Sequence, residues 1–423
     1  MVQIQDRKTK KKEKNKLYSR IILLILEILA IVTIVVVGIF LWQHMDQEET
    51  QIQTARPMVQ EIAIDPMPEK TPEETRPEDI SRYGKELADE QFCRENRVYA
   101  KETASEEAIV LAFAGDISFA QGYANMSTLA QRGGDIRDCF DEFVLKEMES
   151  ADIFMLNNEF TYTDRGTPTE NKTFTFRAHP EHAEYLHDLG VDLVSLANNH
   201  SYDYGEISLL DTLDTLEGAA IPYVGAGRNI AEAIKPVYFI ANDYKIAFVS
   251  ATQIEQGDNP DTKGAGENSA GVFRCWNDDR VCDVVREVKE QSDFVVAYIH
   301  WGTEMTDELH WAQPDLAKKL ADAGADLIVG DHPHCLQEIA YVNNVPVIYS
   351  MGNFWFNSKT QDTGILKVVL NEKGMQSMQF VSAIQSGCKT TIAGDADRKR
   401  ILDYIQSLSP TINMDPAGYI TCK

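Results

Sequence analysis

Ala325-Asp326-Leu327-Ile328-Val329-Gly330-Asp331-His332-Pro333-His334 decides the fold: an apolar run ends abruptly in an acid and two imidazoles. The same arrangement recurs upstream. Phe294-Val295-Val296-Ala297-Tyr298-Ile299 ends in His300-Trp301-Gly302, and Val191-Asp192-Leu193-Val194-Ser195-Leu196 ends in Asn198-Asn199-His200. Ala108 to Ala114 leads into Gly115-Asp116, and Asp152 to Leu156 leads into Asn157-Asn158-Glu159. Short apolar runs separated by helical stretches read as parallel strands buried on both faces. Ligands of open α/β sheets bind beyond the carboxyl ends of the strands. These ends would therefore converge on one place, and their side chains point to a metal site.

Helices are expected near Phe140–Glu149, Pro180–Leu189, Glu206–Glu217, Ala231–Ile234, Asp278–Gln291 and Pro314–Ala323, with a closing helix at Asp397–Leu408. Toward the C-terminus, Gln337–Val342, Val345–Ser350, Gly364–Leu370 and Met378–Ala383 read as strands without helices between them. Asn343-Asn344 reads as a tight hairpin turn, since Asn tolerates positive φ. A parallel start followed by antiparallel hairpins predicts two facing sheets with helices outside, in one α/β domain over residues 105–423.

The 423 residues carry a formal net charge of −26, unevenly spread. Basic residues crowd positions 1–20, so the rest is strongly acidic and ill suited to nucleic acid, whose binding requires neutralised phosphates. Residues 21–42 are apolar and long enough to cross a bilayer as one helix. The basic flank predicts a cytoplasmic N-terminus and an extracellular C-terminal domain. Residues 43–104, rich in Glu, Gln, Thr and Pro, read as an extracellular spacer. The seven cysteines include no CxxC pair, so a zinc knuckle is not supported, and disulfide pairing stays open.

The chemistry-bearing residues each have two readings. His332 and His334 present two imidazoles around a restraining proline, and their position after a buried strand favours metal binding over a structural role. His300 follows its strand directly as a ligand or a core histidine. Asn199 offers an amide oxygen and His200 an imidazole facing a substrate oxyanion, with Asp203 a supporting or substrate-facing carboxylate; the alternative is an Asx turn, with Asp203 capping the next helix. Asp116 and Glu159 supply negative charge for cations, or cap turns. Glu304 either orients His300 or is a solvated loop residue. Lys172 and Arg177 either face an anionic substrate or belong to strand pairing. Gly352-Asn353-Phe354-Trp355-Phe356 reads as a cleft wall or as core. No GxSxG elbow supports a serine hydrolase.

Together, Ala114-Gly115-Asp116, Asn158-Glu159, Ala197-Asn198-Asn199-His200, His300-Trp301-Gly302-Thr303-Glu304, His332-Pro333-His334 and Tyr349-Ser350-Met351-Gly352-Asn353 resemble the CapA (PgsA) family of bacterial capsule and poly-γ-glutamate synthesis proteins. That family looks like a branch of the calcineurin-like metallophosphoesterases. The resemblance implies a four-layer α/β/β/α metallophosphatase-like sandwich with mixed sheets, preceded by one transmembrane helix. It maps Asp116, Glu159, Asn199, His300, His332 and His334 onto metal positions, and His200 onto the catalytic histidine. Two departures stand out. The first motif reads Asp-x-Ser, with Ser118 where the superfamily has His, and Glu159 replaces the bridging aspartate.

The implied cofactor is one or two divalent transition ions, Mn, Zn or Fe. The implied function is a membrane-anchored extracellular hydrolase of capsule or poly-γ-glutamate synthesis. The rival is a non-catalytic factor that binds an anionic polymer or its precursor beside membrane synthase subunits. Asp331 is the first candidate to take the missing histidine's place.

Overall fold

The computed structural model describes residues 81–254 and 263–423. The basic tail (1–20), the expected membrane span (21–42) and most of the spacer lie outside these residues. Among the described residues no helix is long and apolar enough to cross a membrane.

The main strands begin with β1 (Val98–Ala100), β2 (Ile109–Ile117), β3 (Ile153–Asn158), β4 (Leu193–Ser195) and β5 (Tyr223–Val224). They continue with β6 (Val237–Ala241), β7 (Tyr244–Thr252), β8 (Phe294–His300), β9 (Leu327–Asp331) and β10 (Ile339–Val342). The last are β11 (Val345–Ile348), β12 (Asn353–Trp355), β13 (Gln361–Asn371), β14 (Gly374–Ser386) and β15 (Lys389–Ile392). One sheet has seven strands, in the order β1-β6-β7-β8-β9-β11-β10. The other has eight, β15-β14-β13-β2-β3-β4-β5 with β12 beside β2. Parallel pairs β7–β8–β9–β11 and β2–β3–β4–β5 form the centres, and antiparallel strands extend them.

Alternation along each strand builds the layers, because successive side chains point to opposite faces. Leu111 and Phe113 of β2 enter a core shared with Phe248, Val296, Tyr298 and Val329 of the other sheet. Their neighbours Ala112 and Ala114 face outward, in a core with Leu209, Leu213 and Leu216. Those leucines belong to a helix at Glu206–Gly218. Across the sandwich, Ala247, Val249, Val295 and Ala297 pack with Val281, Val285, Leu316 and Leu320, from helices Asp279–Lys289 and Ala312–Ala323. The result is a mixed α/β sandwich in four layers, helices outside and two sheets within. Asn343 and Asn344 turn the β10–β11 hairpin at φ 52° and 66°, as the sequence predicts.

The spacer reading of 43–104 is corrected for its described end. Two short helices, α1 (Gly84–Leu87) and α2 (Glu90–Asn96), lead into β1, which pairs in parallel with β6. Asp89 caps α2 by accepting from the Phe92 amide. The Arg82 guanidinium and the Tyr83 hydroxyl bind Asp293 at 2.7 and 2.9 Å, and Lys245 pairs with Glu86. The segment lacks a strong amphipathic stripe because strand pairing and polar anchors hold it.

Candidate metal centre

Strand register brings the chemistry together. Asp116 at the end of β2 lies opposite Asn157 of β3, and His300 at the end of β8 lies opposite Asp331 of β9. Beyond β4, Asn198 Oδ1 accepts from the His200 amide and the Ser201 hydroxyl, each at 3.0 Å. This Asx turn aims His200 inward. Beyond β9, His332 and His334 adopt φ of 93° and 56°. L-residues rarely adopt that left-handed region, and such strain persists where the side chain is needed.

Glu159 Oε1 lies 3.8 Å from His200 Nε2, 3.8 Å from His300 Nε2 and 3.9 Å from His334 Nε2. These gaps are too long for hydrogen bonds. The gaps to His300 and His334 suit atoms that share an ion, since ligand nitrogens and oxygens lie about 2.0–2.2 Å from such a metal. His300 Nδ1 faces Asp331 Oδ1 at 2.8 Å, while Nε2 faces Asn199 Oδ1 at 2.8 Å and His332 Nδ1 at 3.1 Å. Two ligand groups emerge, Glu159–His332–His334 and Asp116–His300–Asp331, each with its ligand atoms within 4.8 Å. The His300–Asp331 bond favours Asp331 as the partner that orients the imidazole, leaving Nε2 toward Asn199, His332 and Glu159.

Asp116 Oδ2, Glu159 Oε1 and Asp331 Oδ2 are buried without hydrogen-bond partners. His334 Nδ1 lies 3.1 Å from Asp116 Oδ2 and 2.8 Å from Asn353 Oδ1, so it pairs with the first and hydrogen-bonds the second. Burial, then the neighbouring Asp116, holds Glu159 and Asp331 well above the carboxylate range. Asp116 sits below it: burial pushes up, but His334 and His300 outweigh that. Burial drives His300 down to about 3 and His332 and His200 below their ordinary values. His200, His300 and His332 thus keep free lone pairs at neutral pH; for His334 burial acts the same way, but the neighbouring Asp116 outweighs it and raises the imidazole. This donor set fits a divalent transition ion.

Buried polar contacts brace the ligands. Asn157 Nδ2 donates to Asp116 Oδ1 at 2.9 Å, and Asn198 Nδ2 donates to Asn157 Oδ1 at 2.9 Å. Asp203 Oδ2 faces His200 Nδ1 at 2.7 Å and accepts from the Phe176 amide at 2.6 Å. Lys172 Nζ lies 2.7 Å from Asp203 Oδ1 and 2.5 Å from the Asn199 carbonyl oxygen.

Where the sequence allowed two readings, the contacts decide. Asp203 does not cap the following helix; Gly205, at φ 84°, occupies that place. Lys172 is buried against Asp203 rather than turned to substrate. Arg177 pairs opposite Thr161 in a short strand and stacks 4.6 Å over Tyr204, outside the residues lining the cleft. Glu304 is exposed at the cleft mouth. Ser118 is buried on the cleft wall. Phe354 and Trp355 are core, while Phe356 lines the cleft. The sequence gives no separate signal for Asn157 and Asn198, although each stands beside a strand end that it marks. Cys93, Cys139, Cys282, Cys335, Cys388 and Cys422 are free thiols. Cys335 Sγ donates to the Thr306 carbonyl, and burial lifts its thiol to about 11.

The profile of the bacterial capsule synthesis protein PGA_cap family matches residues 110–358, which carry every ligand candidate above. The chain belongs to this family. It is 30% identical over 280 residues to the PGA biosynthesis protein CapA of Bacillus subtilis strain 168, covering 64% of this chain and 70% of that one. It is 28% identical over 214 residues to a probable polyglutamine synthesis accessory protein of Mycobacterium tuberculosis, covering 49% of this chain and 56% of the relative. Against the solved Thermus thermophilus sulfate thiohydrolase SoxB, the TM-score is 0.38 at 12% identity, over 73% of this chain and 61% of that one.

Proposed function

We propose that this family member is a metal-dependent phosphoester hydrolase, held on the outer face of the membrane and acting in capsule or poly-γ-glutamate synthesis. The observation that carries the reading is the meeting of three partnerless carboxylate oxygens, from Asp116, Glu159 and Asp331, with four imidazoles at the strand ends of both sheets. The relatives' names, a PGA biosynthesis protein and a polyglutamine synthesis accessory protein, support the biological setting. The basic tail followed by the apolar run over 21–42 supports the anchor.

Bound divalent ions there would polarise a phosphoryl oxygen and lower the pKa of a coordinated water to about 7. The chain's own groups do the rest. Asp203 engages His200 Nδ1, so Nε2 carries the lone pair that would take up a proton from the attacking water and pass it to the leaving oxygen. Lys172 keeps Asp203 in place, and Asn353 orients His334. A second reading, a non-catalytic polymer-binding factor beside membrane synthase subunits, rests on Ser118, whose hydroxyl is a poorer ligand than imidazole.

Metal content and turnover of bis(p-nitrophenyl) phosphate by the full chain test the proposal. The chain should copurify with a transition ion and hydrolyse the diester, and replacing His332 and His334 together with Ala should abolish both. Turnover undiminished in a folded, metal-free double variant would overturn it.

A further inference from the structure

The cluster opens into a cleft of about 280 Å³ whose walls are aromatic. Phe176 lies 4.4 Å from the His200 ring, and Phe356 lies 5.0 Å from the His334 ring, centroid to centroid. Phe176 in turn meets Phe356 at 5.4 Å, Tyr123 at 4.9 Å and Phe174 at 6.4 Å. A continuous run of rings thus leads from two imidazoles of the site to solvent. At its outer end Phe174 is 57% exposed, and Met305, another lining residue, is 58% exposed.

The charge of the cleft is as informative as its rings. Among the described residues Lys359 is the one Lys or Arg side chain that lines it, and Glu304 adds a negative charge. A polyglutamate strand carries a carboxylate on every residue, so a groove built for it would need a row of Lys or Arg to offset desolvation. Exposed aromatic surface beside buried polar groups matches a ligand with one charged end and one apolar end.

We propose that this cleft binds a phosphoester whose substituent is apolar, with the phosphoryl group at the imidazoles and the substituent along Phe176, Phe356 and Phe174. The acidic polymer chain itself is not the group it holds. This inference rests on the phosphoester reading above.

Calorimetric binding of methylphosphonate and phenylphosphonate to the Mn-loaded full chain separates the two claims. Phenylphosphonate should bind about tenfold more tightly, as expected for burying one ring. Phe174→Ala, at an exposed position that the fold tolerates, should bring the ratio of the two affinities toward one. Equal affinities in the unsubstituted chain would overturn the apolar subsite and leave the phosphoester reading standing. Failure of both phosphonates to bind would overturn that reading, and the subsite with it.

Discussion

The Tyr298 hydroxyl donates to the Ala114 carbonyl oxygen at 2.9 Å, joining the two sheets at the sandwich end that carries the carboxylates. Tyr298 is fully buried, and Ala114 lies where the β2–β3 pairing shifts register, between Phe113 and Asp116. Tyr298→Phe would leave that carbonyl without its partner in the core. The expected loss is about 1–3 kcal/mol of stability, read as a lower midpoint in urea unfolding. An unchanged midpoint would show that the inter-sheet bond contributes nothing net.

Metal removal should expose the carboxylate crowding. Because burial and Asp116 hold Glu159 and Asp331 well above the ordinary range, the folded metal-free chain keeps protons that the unfolded chain releases above about pH 4.5. Their contribution to stability therefore falls as pH rises through that window. Ion binding displaces the same protons and strengthens with pH. The Tm difference between Mn-loaded and EDTA-treated chain should widen from about pH 5 to about pH 7.5. A constant difference would count against these carboxylates as ligands.

Lys172→Met should be costly. It removes the cation from a pair whose side chains are 4% and 0% exposed, leaving Asp203 with only the Phe176 amide and His200. Breaking such a buried pair from one side costs about 3–5 kcal/mol. Thermal melts of the variant provide the check, and a loss below about 1 kcal/mol would mean that water already reaches Asp203.

Asp203→Asn should separate orientation from metal binding. The amide no longer offers His200 Nδ1 a carboxylate, so the tautomer presenting Nε2 is lost. Turnover should fall on the order of a hundredfold while metal content stays constant. A matching loss of bound ion would instead make Asp203 part of the ligand scaffold.

Topology has its own test. If residues 21–42 span the membrane with the basic tail inside, protease added to intact protoplasts should digest the C-terminal domain. Protection of the whole chain would place it on the other side.

The ligand-bearing strand ends were legible because a strand buried on both faces leaves an uninterrupted apolar run, and its polar terminus is then conspicuous. Asp116, Glu159, Asn199, His200, His300, His332 and His334 all stand at such ends, and the two-sheet, helix-flanked order followed from the same runs. The partners of these residues were not legible in the same way. Lys172 and Arg177 sit five residues apart in one irregular segment, yet one is buried against Asp203 and the other stacks on Tyr204. Pairing across a fold depends on where distant segments cross, which no local pattern encodes. For the same reason only the tertiary structure could seat residues 81–104 against the β6 sheet edge, set Asn353 against His334, and line the mouth of the site with Phe174 and Phe176. Local sequence determined which residues stand at strand ends, because burial and backbone periodicity act over a few residues. Register and sheet packing, which act over the whole domain, decided which of them meet.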